Sequence, residues 1–163
     1  MKHFNILLSA VLLSVGSLTA GAAEPAPSTA TQQITRVGTQ GSKSAPAQYF
    51  TGRVRLDMLW PASNGISASG AMVTFEPGAR SNWHVHPAGQ QLVIESGVGY
   101  VQEWGKPMQE VHPGDVVWCP PGVKHWHGAA PGTAMSHLAV SGASEGQNVT
   151  WMEPVTDAQY QAR

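Results

Sequence analysis

The sequence predicts an all-β single domain, a sandwich or closed barrel, on three observations. Short apolar and β-branched runs recur along most of the chain, Gly, Pro and Asn punctuate them, and only the C-terminal end carries a helical signal. Many short strands separated by turn residues are the pattern of sandwiches and barrels. At 163 residues the chain has the length of one domain with room for a substantial core. Neither a Gly-rich phosphate loop nor an internal repeat accompanies the strands.

Met1-Lys2-His3, the apolar stretch 4–18 and the small residues through Ala23 have the charged, apolar and small-residue parts of a secretory signal peptide, assigned to 1–23. Asn5, Ser9, Ser14, Gly16 and Ser17 interrupt the apolar stretch, which is too short to span a bilayer, so no stable membrane insertion is expected. The expected location is therefore a periplasm or the exterior. Residues 24–32, rich in Pro, Ala, Ser and Thr, read as a disordered leader, and 33–163 as the folded domain. Strands are expected over 34–37, 54–60, 67–75, 81–86, 91–95, 99–103, 115–119, 125–128, 134–140 and 150–152. Thr156-Asp-Ala-Gln159 has the form of a capping box, which starts a helix of one or two turns at Asp157.

Loss of Lys2 with the signal peptide leaves eight basic residues against ten acidic ones, a formal charge of minus two. Such a balance gives no bulk attraction to nucleic acid, and no nucleic-acid partner is expected. Cys119 is the one cysteine, so no intrachain disulfide forms even in an oxidising compartment. It reads as a small buried hydrophobe on a strand. The tryptophans, Trp83, Trp104 and Trp118 among them, read as core and interface packing, and Met58, Met72 and Met135 as gap-filling core. His112, in a Pro-Gly-Asp turn, carries no functional assignment.

The chemistry concentrates in His84-Val-His86-Pro-Ala-Gly-Gln90 and in His125-Trp-His127. Side chains alternate faces along a strand, so His84 and His86 point the same way, as do His125 and His127. Pro87-Ala88-Gly89 can turn the chain and deliver Gln90 at the start of the next strand. His84, His86, Gln90 and His125 thus form a candidate set for one divalent metal ion. Three neutral imidazoles and an amide oxygen bring no negative charge, so the ion keeps its formal double charge and acts as a strong Lewis acid. Mixed nitrogen and oxygen donors suit manganese, iron, nickel or zinc. Lys124 and Trp126, of opposite parity to His125, face the other side of their strand.

Gly78, His84, His86, Gln90 and Gly97, followed by Gly114-Asp115, Pro121-Gly122 and His125, resemble the two motifs of the cupin superfamily, with Gln90 in place of the usual acidic ligand. More narrowly, Phe75-Glu-Pro-Gly-Ala-Arg80, His84-x-His86-Pro-x-Gly-Gln90, His112-Pro-Gly-Asp-Val-Val-Trp118, Lys124-His-Trp-His-Gly-Ala-Ala-Pro131 and Ala134-Met-x-His137-Leu-Ala139 are similar to bacterial manganese-dependent cupin hydroxynitrile lyases. The similarity runs from about 34 to 160. It implies a double-stranded β-helix (jelly-roll) barrel, Mn2+ ahead of Fe2+, Ni2+ or Zn2+, and a small-molecule substrate. It also implies a homodimer or higher homo-oligomer in which the strand near 34–37 pairs with a partner's sheet.

His127 shares the parity of His125 while the four ligand positions are filled, and a spare neutral imidazole beside a dication suits a general base. His137 matches a further histidine of the resembling lyases and is expected in the same cavity, as a second catalytic candidate or as support. The resemblance implies cleavage or formation of aromatic cyanohydrins, mandelonitrile to benzaldehyde and cyanide, with the (R)-product in the reverse addition. Two other readings use the same residues. A metal-dependent dioxygenase would consume oxygen, and a non-catalytic metal or small-ligand-binding protein would turn nothing over.

Overall fold

The computed structural model describes residues 30–63 and 65–162. The signal peptide expected over 1–23 and most of the leader expected over 24–32 lie outside the described residues. Thr35–Arg163 forms one compact unit. Its strands are β1 (Ser42–Ser44), β2 (Phe50–Thr51), β3 (Val54–Trp60), β4 (Ala68–Phe75), β5 (Arg80–Ser81), β6 (His84–Val85), β7 (Gln90–Gly97), β8 (Gly99–Glu103), β9 (Gln109–Val111), β10 (Val116–Cys119), β11 (His125–Ala129), β12 (Met135–Gly142) and β13 (Thr150–Trp151). One helix follows, α1 (Asp157–Gln161).

The strands pair antiparallel in two sheets, one in the order β1-β3-β4-β12-β7-β10 and the other in the order β13-β6-β11-β5-β2. β8 extends the second sheet by pairing with β11, and β9 pairs with β8. Alternation puts one side of each central strand inside. On β12, Met135, His137, Ala139 and Ser141 are buried while the residues between them are half-buried. Val73, Phe75, Leu92, Ile94 and Met135 form one apolar cluster. The imidazoles border it, with the Phe75 ring 5.7 Å from both His127 and His137.

Two turns fix register next to the site. Gly97 ends β7 at φ 77°, just before β8, and a Cβ there would lie 1.8 Å from the Ala134 carbonyl oxygen. Gly89 ends the turn before Gln90 at φ 80°, and a Cβ there would lie 2.4 Å from the Trp118 ring. Both positions therefore require glycine for conformation and for space.

On its other side, the second sheet covers a separate cluster of Trp83, Tyr100, Trp126, Val155 and Tyr160. Here the expected helix forms, with the Thr156 hydroxyl accepting from the Gln159 amide and the Gln159 side chain accepting from the Thr156 amide. Arg80, 5% exposed, anchors it by donating to the Val155 carbonyl at 3.1 Å and to Asp157 at 2.6 Å. Tyr160 donates its hydroxyl to the Ala129 carbonyl at 2.6 Å.

Residues 34–37 form no strand. Ile34 and Val37 are 69% and 100% exposed, and the chain turns where the Thr39 amide donates to the Arg36 carbonyl at 3.2 Å. The strand at this edge is β1 instead, opposite Asp57, Leu56 and Arg55 of β3. Composition misplaced it, because a ladder partner outweighs the β propensity of Ile and Val. The strand expected over 81–86 is two short strands interrupted at Asn82-Trp83, so His86 lies beyond the end of β6. Asn82 supplies the reason: its side chain donates to the carbonyls of Gln48 and Met152, bonds that bind neighbouring segments rather than continue a ladder.

Candidate metal centre

Strand pairing brings the expected ligands together from three parts of the chain. His84 on β6 lies directly opposite His125 on β11, with ring centroids 4.3 Å apart. His86 stands 5.1 Å from the His84 ring and 5.6 Å from the His125 ring. Gln90, the first residue of β7, brings its Oε1 to 3.4 Å from His125 Nε2. All four side chains are at least nine-tenths buried.

Backbone carbonyls decide the tautomers. His84 Nδ1 meets the Asn82 carbonyl at 2.9 Å, His125 Nδ1 meets the Val123 carbonyl at 2.9 Å, and His86 Nδ1 meets the Asn148 carbonyl. A carbonyl oxygen only accepts, so each Nδ1 carries the hydrogen. Burial, the largest cause in each case, lowers the pKa of all three rings, that of His86 to about 4. Neutral rings protonated at Nδ1 present a bare Nε2. Gln90 Oε1 facing His125 Nε2 is then one acceptor against another, and His86 Nε2 is buried with no partner. The Gln90 carboxamide lies near enough to His86 to oppose the lowering of its pKa, yet not in hydrogen-bond geometry with Nε2. Converging lone pairs of this kind fit a divalent cation and otherwise cost desolvation energy.

His127 and His137 are wired differently. His127 Nδ1 and His137 Nε2 are 3.1 Å apart, so one of them holds a hydrogen that the other accepts. His127 Nε2 and His137 Nδ1 are buried without partners. Burial and the neighbouring imidazoles hold His127 well below the ordinary value, and burial lowers His137 to about 4. Both are therefore neutral near pH 7, as proton acceptors must be. Among the described residues, the histidines whose ring nitrogens lie within 4.8 Å of one another are His84, His125 and His127, so His127 stands closer to two of the expected ligands than the fourfold assignment foresaw, and the expected ligand His86 is outside that group.

His84, His86, Gln90 and His127 line a cavity of about 390 Å3, walled by Tyr49, Phe50, Leu56, Val73 and Trp151. His125 and His137 are not part of its wall. The Trp151 ring packs 4.9 Å from His84 and stacks on Tyr49 at 4.8 Å and 12°. Lys43 is the one charged residue lining the cavity, and no described Asp or Glu does. Positive charge placed there meets no carboxylate, which agrees with the charge argument made for Gln90.

Comparison with known proteins decides the family. Residues 71–141 match the family described as Cupin domain. Over 128 residues the chain is 56% identical to an (R)-mandelonitrile lyase of Granulicella tundricola, a match covering 78% of this chain and 98% of the relative. The chain is a cupin. A cupin-like protein from Thermotoga maritima shares its structure with a TM-score of 0.68 at 40% identity, covering 80% of this chain and 96% of the other. A polyketide cyclase from Streptomyces resistomycificus, with a TM-score of 0.63 at 14% identity and coverage of 80% and 92%, shares the fold.

This cupin thus brings the six expected histidine and glutamine side chains close to one another. Lys124 and Trp126 do face away, Lys124 toward Glu153 and the Trp104 ring, Trp126 into the second cluster. His112 is surface-bound beside Glu110 at 3.1 Å. Sequence reasoning missed the side chains that support or wall the centre: Tyr49, Trp151, Asn148 and Ser141. Trp151 corrects the reading of the tryptophans as packing alone, because it does pack and also lines the cavity. None has a spacing signal. Ser141, Asn148 and Trp151 come to the site from at least 51 residues beyond Gln90, and Tyr49 directly precedes a two-residue strand.

Proposed function

We propose that this cupin is a metal-dependent hydroxynitrile lyase acting on aromatic cyanohydrins, in the direction mandelonitrile to benzaldehyde and cyanide, with (R)-selectivity in the reverse addition. The lyase character rests on the relative from Granulicella tundricola. The observation that carries the metal dependence is the donor set: three imidazoles held with Nε2 bare, one of which, His125, faces a neutral carboxamide oxygen. His84, His86, Gln90 and His125 would hold the ion, Mn2+ ahead of Fe2+, Ni2+ or Zn2+. A bound divalent ion supplies Lewis-acid stabilisation of negative charge developing on the substrate oxygen, worth several kcal/mol.

The chain's own residues do the rest. His127 Nε2, unpartnered and on the cavity wall, accepts the hydroxyl proton. As the oxygen takes up charge, its electrons form the carbonyl bond and the carbon–carbon bond breaks, releasing cyanide. The proton held at His127 then passes to cyanide, so aldehyde and hydrogen cyanide leave together. His137 Nε2, 3.1 Å from His127 Nδ1, accepts the hydrogen held on that Nδ1, which leaves His127 Nε2 bare as the proton acceptor. Phe50, Leu56, Val73 and Trp151 make a wall suited to an aryl group.

The test is metal analysis of the purified protein together with release of benzaldehyde from mandelonitrile. His127→Ala is expected to keep the ion and lose roughly 10²-fold or more in turnover. Metal-replete wild type that releases no benzaldehyde above a metal-only control, while consuming oxygen with another substrate, would establish the dioxygenase instead.

A further inference from the structure

We propose that Ser141 is a positioning residue that aims the Gln90 carboxamide oxygen at the metal centre. The inference rests on the metal reading of that centre and goes beyond its four donors. Ser141 lies on β12 directly opposite Gln90 on β7, and the Gly142 amide donates to the Gly89 carbonyl at 2.9 Å, which ties this end of β12 to the turn that delivers Gln90. Both side chains point inward, Gln90 at 5% and Ser141 at 8% exposure.

A carboxamide has two ends of similar shape and opposite chemistry. Turned one way it offers oxygen to a cation, and turned the other way it offers N–H groups that repel one. Here Nε2 donates to Ser141 Oγ at 3.0 Å while Oε1 faces His125 Nε2 at 3.4 Å. Because the Val123 carbonyl holds the hydrogen of His125 at Nδ1, that Nε2 has none to give Oε1. An ion held by Gln90 and His125 would make oxygen the favoured inward end. The amide N–H then has to find an acceptor in a buried place or lose its solvation. The Ser141 hydroxyl is that acceptor. A ligand's orienting partner commonly contributes about 10- to 100-fold to metal affinity.

The experiment is titration of metal-free protein with Mn2+, followed by calorimetry, for wild type, Ser141→Ala, Gln90→Ala and the double variant. Ser141→Ala is expected to weaken binding by about tenfold, and Ser141→Thr, which keeps the hydroxyl, to retain wild-type affinity. Because Ser141 acts through Gln90, adding Ser141→Ala to Gln90→Ala should cost nothing more. Thermal unfolding of the metal-free Ser141→Ala protein is expected within about 4 °C of wild type, which separates orientation of a ligand from general damage. Ser141→Ala binding Mn2+ as tightly as wild type, or weakening it equally with and without Gln90, would overturn the role. Wild type that takes up no Mn2+, Fe2+, Ni2+ or Zn2+ would instead remove the metal centre itself.

Discussion

Gln90 sets the charge of the centre, since a carboxylate at the same place would bring one negative charge into direct contact with the ion. Gln90→Glu is therefore expected to hold Mn2+ at least as tightly while turning over roughly tenfold more slowly, about 1.4 kcal/mol of barrier. Parallel measurement of affinity and kcat checks this, and a variant as fast as wild type would defeat the Lewis-acid argument. His125→Ala should lose stoichiometric metal, since it removes an Nε2 from the middle of the cluster, whereas Gln90→Ala should only weaken it. Elemental analysis after dialysis reads both. Cys119 is the opposite kind of residue. Burial pushes its thiol up to about 12, so native protein should resist iodoacetamide at pH 8 and react only once unfolded. The donors were legible in the sequence because strand parity and a Pro-Ala-Gly turn put them on one side. Asn148 and Ser141 were not, because their roles are a carbonyl for His86 and a hydroxyl for Gln90, granted by pairing that no local pattern announces.

At the scale of elements, the centre depends on short pieces held from outside. β6 is two residues long, and it is kept in place by β11 on one side and β13 on the other. The Trp83 amide and carbonyl bond Glu153 and Met152, at 3.0 and 2.9 Å, so the segment after β13 also fixes the approach to His84. The turn into β7 depends on Gly89 at φ 80°, packed under Trp118. Gly89→Ala should cost at least about 1–2 kcal/mol for the left-handed backbone, with the ring contact added to it. Urea unfolding of the metal-free variant measures that loss, and an unchanged midpoint would mean the turn relaxes freely. Long strands such as β3, β4 and β12 were readable as apolar and β-branched runs bounded by turn residues. β2 and β9 were not, since two or three residues hold too little pattern, and 34–37 misled because β-branched side chains were read without knowing whether a ladder partner existed.

For the whole molecule, association and acid sensitivity follow from what is left outside and what is enclosed. Val116 and Trp118 are 57% and 56% exposed on β10, an edge strand paired only with β7, while Ile34 and Val37 also face solvent. Unpaired edges and apolar side chains of this kind are expected to be covered in a homodimer or higher homo-oligomer, and a monomer mass by light scattering at micromolar concentration would count against it. Enclosure of the imidazoles has a sharper consequence. His86 and His137 titrate near 4 in the folded protein against an ordinary value of 6.5, and His84, His125 and His127 are lowered too. Between those values the unfolded chain binds more protons than the folded one, so stability rises with pH across the window. The contribution is complete above about 6.5 and is lost as pH falls toward 4, by on the order of 1 kcal/mol or more for each of His86 and His137. Urea midpoints of the metal-free protein, read by circular dichroism at successive pH values, should therefore drop steeply between pH 6.5 and 4 and stay nearly level from 7 to 8. Bound metal should shift the drop to lower pH, because ion and proton compete for the same Nε2 atoms. Midpoints that do not move on acidification would mean that the imidazoles are hydrated and charged in solution, and the dry, neutral donor set on which the centre depends would not exist.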